Sequence, residues 1–479
     1  MSNSKVLFIV HDLYQEDNHF PMGLAYLAAV LKNEGYGVEA YCQDVFHYTN
    51  EQLAEHLDEN DYDIIGVGFM AARFTETIVG LSKVINEHKK NAWFAMGGFG
   101  PSPIPEYVLE ATKADIIAIG EAEETIIELM QAKTTKKPRL SDIKGIAYRE
   151  GGKTCVNLRR KPVLNLDKLP FPLWEIFPME RYSTCLRLFN QEDDEKSLSL
   201  LTSRGCIGKC NFCYRMENGI RKRSIDNVVE EIKYLRDQYG VTYFFMQDEL
   251  FVFSKKRIFD FAEALDGNKI KIKFACDCRV DIFDQEMAQK MADAGCQFFD
   301  FGFESADQCV LDNMHKKVKV EQNIRAAEIV RTFPNIGIGL NFLWGNIGDT
   351  PETLWKNVDF IKKFNTYKHL RTIRPVTPYP GSELYDIAIR EGKINGPADF
   401  FEKFRNSDLV TVNFTKLSEK EFYECLLAAN TELIMDHYRH TMGDMVEALH
   451  LISTFKDLYE GRISTFRGAR HYEKKKEEK

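Results

Sequence analysis

The sequence lacks the features that mark several large classes of protein. No apolar run approaches the roughly 20 residues that are needed to span a bilayer. The apolar run near the amino terminus, VLFIV, ends at His11 and Asp12, which makes it too short for a signal-peptide core. An excess of basic residues is also missing, since 63 lysines and arginines stand against 72 aspartates and glutamates, for a net charge of -9. We therefore expect a cytoplasmic protein with no transmembrane segment and no nucleic-acid partner.

A disulfide framework is not indicated either, because eleven cysteines are an odd number scattered over 479 residues. Three of them, Cys206, Cys210 and Cys213, lie in the stretch LTSRGCIGKCNFCYR at the spacing C-x3-C-x2-C. A structural zinc site almost always has four ligands, so it would need Cys276, Cys278 or another residue as the fourth. A [4Fe-4S] cluster normally takes four thiolates, so three cysteines would leave one iron open to a substrate or cofactor.

The chain divides into two α/β series and a helical end. From Lys5 to about Leu129, apolar strand-like runs alternate with amphipathic helices, which predicts a doubly wound, Rossmann-like parallel sheet. A second series of six βα units begins at Ser197 and predicts a partial, TIM-like barrel whose site lies at the carboxyl ends of its strands. We expect an α/β domain over 1–135, a connector over 136–195, the partial barrel over 196–395 and a helical region over 396–479.

The cysteine loop, with Phe212 just before its last cysteine, resembles the cluster loop of the radical S-adenosylmethionine (SAM) superfamily. The resemblance implies that Cys206, Cys210 and Cys213 bind three irons of a [4Fe-4S] cluster. The amino and carboxylate groups of SAM would chelate the fourth iron, and an electron from the cluster would release a 5'-deoxyadenosyl radical. Phe212 is expected to mark where SAM lies.

Three later segments are similar to SAM-binding segments of the same superfamily. In FFMQDELF, the resemblance implies that Glu249, with Asp248 as the competing candidate, binds the SAM ammonium group. In CDCRVD, it implies that Arg279 contacts the SAM carboxylate. In FGFES, it implies that Glu304 and Ser305 face the SAM ribose or the substrate.

The first α/β series resembles the cobalamin-binding domain that precedes the barrel in one large radical SAM subfamily. Classical cobalamin domains carry D-x-H-x-x-G, whereas this chain has DNHFPMG, with the glycine one residue too late, so His19 is not assigned as a cobalt ligand. Glycines would let the backbone approach a flat corrin closely. The expected cobalamin contacts are Phe69, Met70, Gly97, Gly98, Phe99, Gly120 and Glu121, in loops that include 69–73 and 97–102.

Together the two resemblances imply a cobalamin-dependent radical SAM methyltransferase that acts on an unactivated carbon of an unknown substrate. One alternative keeps the radical chemistry but ends in cyclisation, rearrangement or oxidation, and another is a metal- or cobalamin-binding sensor without turnover. The substrate is expected to be a small molecule, a lipid or a peptide, and the electron donor a flavodoxin- or ferredoxin-type protein. The sequence indicates no residue for acid–base catalysis.

Overall fold

The computed structural model describes residues 4–13, 18–70 and 74–463. The amino-terminal part is a seven-stranded sheet in the order β2-β1-β3-β4-β5-β6-β7, in which β1 to β5 are parallel and β6 and β7 form an antiparallel edge. Its strands are β1 (Lys5–Val10), β2 (Gly37–Cys42), β3 (Ile64–Gly68), β4 (Trp93–Gly97), β5 (Ile116–Ala118), β6 (Ile146–Glu150) and β7 (Lys153–Val156).

Helices cover both faces of this sheet, as the continuous apolar strands predict. They are α1 (Met22–Asn33), α2 (Gln43–Phe46), α3 (Asn50–Glu59), α4 (Val79–His88), α5 (Pro105–Thr112) and α6 (Glu123–Thr135). The hairpin β6–β7 turns at Gly151 and Gly152, both at positive φ. Because this hairpin pairs with β5, the sheet continues past residue 135, into the segment that the sequence suggested as a connector.

The second part is an open barrel of six parallel strands in the order β15-β14-β13-β12-β11-β8. Its strands are β8 (Lys196–Leu200), β11 (Val241–Met246), β12 (Lys273–Cys278), β13 (Cys296–Glu304), β14 (Gly337–Trp344) and β15 (Arg374–Pro375), with a small antiparallel hairpin of β9 (Ser203–Arg204) and β10 (Arg221–Lys222) after β8. The predicted partial barrel of six βα units is therefore confirmed.

The remaining helices surround the barrel and form the carboxy-terminal region. They are α7 (Met179–Cys185), α8 (Ile225–Tyr239), α9 (Lys255–Gly267), α10 (Gln285–Asp293), α11 (Gln308–Asn313), α12 (Val320–Arg331), α13 (Pro351–Phe364), α14 (Glu383–Arg390), α15 (Pro397–Lys403), α16 (Glu419–Thr441) and α17 (Met445–Tyr459). Within the described residues, no helix is long and apolar enough to cross a membrane.

Strand β13 shows which residues point into the barrel. Phe299, Phe301 and Phe303 are fully buried, and Phe303 packs against Phe360 of α13, so this face of the strand meets the outer helices. Because side chains alternate along a strand, the residues between them point to the concave side, which we call the lumen. The carboxyl end of β13 therefore brings Glu304 to the mouth of the lumen.

Ion pairs join the hairpin β9–β10 to the loop between β5 and α6. Arg204 lies 2.6 Å from Glu123 and 3.3 Å from Glu121, and Arg221 lies 2.6 Å from Glu121. The exposed fractions of the Arg204 and Glu123 side chains are only 14% and 6%. Since the hairpin brackets the cysteine loop, these pairs hold the amino-terminal domain over the mouth of the barrel.

Replacing Arg204 should loosen this junction. Arg204→Met leaves two partly buried carboxylates without one of their cations, and we expect the free energy of unfolding to fall by about 3 kcal/mol. The exposed pair between Arg236 and Asp237 provides a matched control, since Arg236→Met should cost at most about 1 kcal/mol. Chemical denaturation followed by circular dichroism measures both changes, and equal effects would contradict the assigned role of Arg204.

Candidate active site at the three-cysteine loop

The three cysteines lie on one loop at the carboxyl end of β8, between the strands of the β9–β10 hairpin. Gly208 lies inside this loop, and a Cβ atom placed on it would be 3.4 Å from Sγ of Cys206 and 3.8 Å from Sγ of Cys210. The thiol of Cys213 is hydrogen-bonded to that of Cys210. The loop thus directs three sulfurs toward one another around a cradle that only glycine leaves open.

Charge favours a thiolate at Cys210. The hydrogen bond from Cys213 lowers the pKa of Cys210 to about 6, and the cations of Lys316 and Arg279 add to this effect. The same hydrogen bond raises the pKa of Cys213, and burial raises that of Cys206. Since iron binds thiolates and not thiols, this loop has a ready first ligand and gains the others on metal binding.

Backbone contacts fix the start of the loop. Gly205 has a φ of +92°, and a Cβ atom on it would lie 2.1 Å from the carbonyl oxygen of Gly219. The Gly205 N–H donates to Oε1 of Glu249 at 3.1 Å. Only glycine fits this close approach, which sets the direction in which Cys206 leaves the strand.

Buried Asn211 holds the middle of the loop. Its side chain donates to the carbonyl of Asn313, and its backbone N–H donates to the carbonyl of Met314. Its own carbonyl accepts from the N–H of Leu384 at 2.7 Å. Asn211 was not predicted as a site residue, because no pattern in the sequence indicates that an asparagine between two cysteines is buried.

The two carboxylates that compete for the SAM ammonium have different surroundings. Asp248 is buried and accepts hydrogen bonds from the N–H and hydroxyl of Thr202 at 2.6 and 2.5 Å and from the hydroxyl of Ser203 at 2.7 Å. Glu249 is exposed and its described hydrogen bond is the one from Gly205. The geometry therefore favours Glu249 for ligand binding and gives Asp248 the task of holding the end of β8.

Arg279 lies beside the cysteine sulfurs, as the SAM-carboxylate prediction requires. Its Nη1 would be 3.2 Å from a Cβ atom on Gly208, and its charge acts on both Cys206 and Cys210. Asp281 accepts from its Nε and Nη2 at 3.0 Å each. This fork orients the guanidinium and leaves Nη1 directed toward the cysteine loop.

Glu304 occupies a conformation that points to function. Its φ is +64°, a left-handed conformation that non-glycine residues rarely adopt. Its carboxylate accepts a hydrogen bond from Nζ of Lys316 at 3.0 Å, and a Cβ atom on Gly302 would lie 2.3 Å from its Oε1. The Lys316 cation interacts electrostatically with both this carboxylate and Cys210. Lys316 was not predicted as a site residue because it lies in the ordinary basic run HKKVKV.

The two remaining predicted SAM contacts lie close to the site but differ in exposure. Phe212 is half-buried within the loop itself. Ser305 is fully buried, and its hydroxyl accepts from the N–H of Asp307 at 3.1 Å, which stabilises the turn after β13. Contact of either residue with SAM stays a prediction.

The expected cobalamin loops meet the cysteine loop. The ring of Phe99 lies edge-on to that of Tyr214, next to Cys213, with centroids 6.1 Å apart. Phe99 and Met70 are both exposed at the carboxyl ends of β4 and β3. Gly98 has a φ of +104° and a Cβ atom on it would lie 3.0 Å from the carbonyl of Phe69, so the two loops pack backbone to backbone. These exposed apolar side chains and bare backbone suit the flat face of a corrin.

Not every expected cobalamin residue faces that space. Phe69 is buried and its ring lies 5.3 Å from that of Phe74, while Gly97 is the last residue of β4 and pairs with Gly68 of β3. Gly120 has a φ of +84°, and the carboxylate of Glu121 is engaged by Arg204 and Arg221. Asp17 and residues 71–73 lie outside the described residues. Cobalamin contacts at these positions stay predictions.

His19 lies beside the first two strands of the barrel. Its Nδ1 is 3.4 Å from the hydroxyl of Ser199, and its ring centroid is 5.7 Å from that of Phe245. Neither contact assigns it to cobalt.

The zinc alternative needs a fourth ligand beside the three cysteines. In the part of the chain that the structure describes, no three His, Cys, Asp or Glu side chains are arranged around one metal ion. Cys276 and Cys278, the residues considered as further zinc ligands, are buried in β12 with their sulfurs 3.9 Å apart. The three-cysteine loop suits a cluster because each thiolate there takes its own iron.

Comparison with known proteins assigns both domains. Residues 200–361 match the radical SAM superfamily, and residues 15–130 match the B12 binding domain. The chain belongs to the radical SAM superfamily, among the members that carry a B12-binding domain. The cofactors of that family are the three expected from the sequence, namely a [4Fe-4S] cluster, SAM and cobalamin.

Curated relatives of this radical SAM protein extend over most of its length. An uncharacterized methyltransferase of Pyrococcus horikoshii, PH0819, is 30% identical and covers 77% of this chain and 78% of its own. Cytidylyl-2-hydroxyethylphosphonate methyltransferase of Streptomyces wedmorensis is 26% identical, with 82% of each chain covered. An anaerobic magnesium-protoporphyrin IX monomethyl ester cyclase of Rubrivivax gelatinosus is 27% identical and covers 80% of this chain and 69% of its own.

A solved structure shares the fold. The radical SAM methyltransferase TsrM from Kitasatospora setae, determined with cobalamin and a [4Fe-4S] cluster bound, superimposes with a TM-score of 0.66 at 19% identity. The match covers 82% of this chain and 75% of TsrM. At that identity the match establishes the fold: a B12-binding domain, a radical SAM half-barrel and a helical carboxy-terminal region.

Gly205 should be essential for cluster assembly. Gly205→Ala combines backbone strain with a clash against Gly219 and should cost about 3 kcal/mol locally. Gly219→Ala is the matched control, because it also has a positive φ, +80°, but a Cβ atom there meets nothing within 4 Å. After anaerobic reconstitution, iron and sulfide content should fall in Gly205→Ala and persist in Gly219→Ala. Equal cluster content in the two variants would contradict this role.

Lys316 should influence the acidity of Cys210 in the cluster-free protein. Lys316→Gln removes a cation that stabilises the thiolate, so the pKa of Cys210 should rise above its value of about 6. Alkylation of Cys210 as a function of pH, read by peptide mass spectrometry, should shift to higher pH. Exposed Lys317 is the control, and Lys317→Gln should leave the profile unchanged. A profile unmoved by Lys316→Gln would refute the electrostatic link.

Proposed function

We propose that this protein is a cobalamin-dependent radical SAM methyltransferase that transfers a methyl group to an unactivated carbon of its substrate. The observation that carries the proposal is the contact between Phe99 of the B12-binding domain and Tyr214 of the cysteine loop. Through this contact the exposed face of the first domain and the three cysteines border the same space above the lumen. The names of the P. horikoshii and S. wedmorensis relatives support methyl transfer.

The chain's own residues would bind and orient the reactants. Cys206, Cys210 and Cys213 would hold three irons, and Arg279 and Glu249 would receive the carboxylate and ammonium of SAM by charge-assisted hydrogen bonds. When bound, the cluster and cobalamin supply electron transfer and methyl transfer, respectively. The protein contributes placement, because a radical must form within contact distance of the substrate carbon and away from water. The ion pairs of Arg204 and Arg221 support that closure.

The proposal includes an external one-electron donor of the flavodoxin or ferredoxin type and a cytoplasmic location. A small molecule, a lipid or a peptide is the candidate substrate.

A second candidate function, radical cyclisation, rearrangement or oxidation, has support from the similarity to the R. gelatinosus cyclase. Methyl transfer is favoured because the P. horikoshii and S. wedmorensis relatives, which match most of this chain, are both named methyltransferases.

The test uses protein purified anaerobically with hydroxocobalamin and then reconstituted with iron and sulfide. Incubation with methyl-deuterated SAM and a reductant should give both S-adenosylhomocysteine and 5'-deoxyadenosine, and stoichiometric cobalt should copurify. Cys210→Ser is the control, and it should lose 5'-deoxyadenosine formation while keeping cobalt. Formation of 5'-deoxyadenosine without S-adenosylhomocysteine would contradict methyl transfer and support the second candidate function. An intact cluster that leaves SAM uncleaved would refute both and favour a sensor.

A further inference from the structure

The lumen beneath the cysteine loop contains charge that the proposed function does not use. The strand register aligns lumen-facing residues into rows across the barrel. Phe245 and Phe298 both align with Ala275 in a lower, apolar row. Asp277 pairs directly with Asp300 in the next row up, toward the cysteines. Two carboxylates therefore lie side by side on an apolar floor.

Asp277 has no partner in the part of the chain that the structure describes. No N–H or O–H group donates to its carboxylate, and no lysine or arginine nitrogen lies within ion-pair distance of it. Nearby cations are engaged elsewhere, because Arg279 is paired with Asp281 and Lys316 with Glu304. The half-buried carboxylate faces the lumen, where desolvation and the neighbouring Asp300 raise its pKa well above the usual value.

The hydrogen-bond acceptor capacity of the Asp300 carboxylate is only partly used. Nδ2 of Asn341 donates to its Oδ1 at 2.6 Å. Arg371 acts on it electrostatically from a greater distance, since the guanidinium Nη2 donates to the carbonyl of Ile338 at 2.6 Å and the group lies over the ring of Phe298. One oxygen of Asp300 therefore retains acceptor capacity toward the lumen.

A third acceptor completes this row. Gln247 directly follows Met246, which pairs with Cys276, so the register brings Gln247 next to Asp277. The Oε1 atom of Gln247 is buried and has no hydrogen-bond partner among the described residues. A buried polar atom without a hydrogen-bond partner lowers the stability of the fold. Its presence beside an unpaired carboxylate therefore indicates that a ligand supplies the missing hydrogen bonds.

We infer that Asp277, Asp300 and Gln247 bind a cationic nitrogen group of the substrate, an ammonium or guanidinium, at the floor of the lumen. The inference rests on the proposed function, which puts the substrate in this barrel, and it narrows the substrate to a small molecule or peptide that carries such a group. A cation offers several N–H donors and a positive charge, which matches three acceptors with one unpaired carboxylate. An anionic or wholly apolar substrate would cover the half-buried carboxylate of Asp277 without giving it a partner.

The test measures binding without turnover, so it succeeds or fails independently of SAM chemistry. The probes are n-butylguanidinium and its neutral isostere n-butylurea, titrated calorimetrically into the cluster-reconstituted protein. The wild-type protein should prefer the cation by about tenfold or more. Asp277→Asn and Asp300→Asn should each reduce this preference substantially. Asp359→Asn, which removes an exposed carboxylate on α13, should keep it.

Other outcomes decide against the inference. Equal binding of the two probes to the wild-type protein would mean that the row accepts neutral hydrogen-bonding groups. An unchanged preference in Asp277→Asn, with weaker binding of S-adenosylhomocysteine, would assign the residue to the cofactor. A lower melting temperature for Asp277→Asn would indicate a structural role, whereas removal of an unpaired, half-buried carboxylate should leave that temperature equal or higher.

Discussion

The structure depends on one constraint: the carboxyl ends of the parallel strands in both domains must face the same cleft. Parallel strands place their loops at one edge, so each domain offers its ligand-binding loops on a single side. Arg204 and Arg221 meet Glu121 and Glu123 where these two edges come together. Charged groups suit this position because their hydrogen-bond geometry specifies one orientation, whereas apolar packing alone would permit sliding. The ring of Phe99 meets that of Tyr214 in the cysteine loop as a consequence of that orientation.

Much of this arrangement could be predicted from the sequence. Continuous apolar strands alternating with amphipathic helices predicted both sheets, because burial on two faces leaves a strong pattern. The spacing of the three cysteines left a zinc site open, and the resemblance of their loop to the radical SAM superfamily implied the cluster. Arg279 was expected to contact the SAM carboxylate, which stays a prediction, and the structure places its guanidinium beside the cysteine loop, at the carboxyl end of β12.

Other parts of the site depend on contacts that the sequence does not express. Lys316 lies in a basic run, and only its pairing with Glu304 distinguishes it from the exposed lysines beside it. Glu121 stays a predicted cobalamin contact, and the sequence does not reveal that Arg204 and Arg221, far along the chain, engage its carboxylate. Asp277 and Asp300 become neighbours only through the register of β12 with β13, which periodicity alone does not determine.

Glycines along the neighbouring strands explain how the barrel accommodates so many acidic side chains. A Cβ atom on Gly339 would lie 1.6 Å from Oδ1 of Asp300, and one on Gly302 would lie 2.3 Å from Oε1 of Glu304. Glycine weakens a strand interior, so Gly339 opposite Asp300 and Gly302 two residues before Glu304 lower stability through backbone entropy, and the carboxylates lower it further through partly buried charge. A barrel selected for stability alone would fill these positions with bulky apolar residues, as the lower row does with Phe245 and Phe298. The upper rows keep space and charge instead, which is the arrangement expected where a ligand completes the packing.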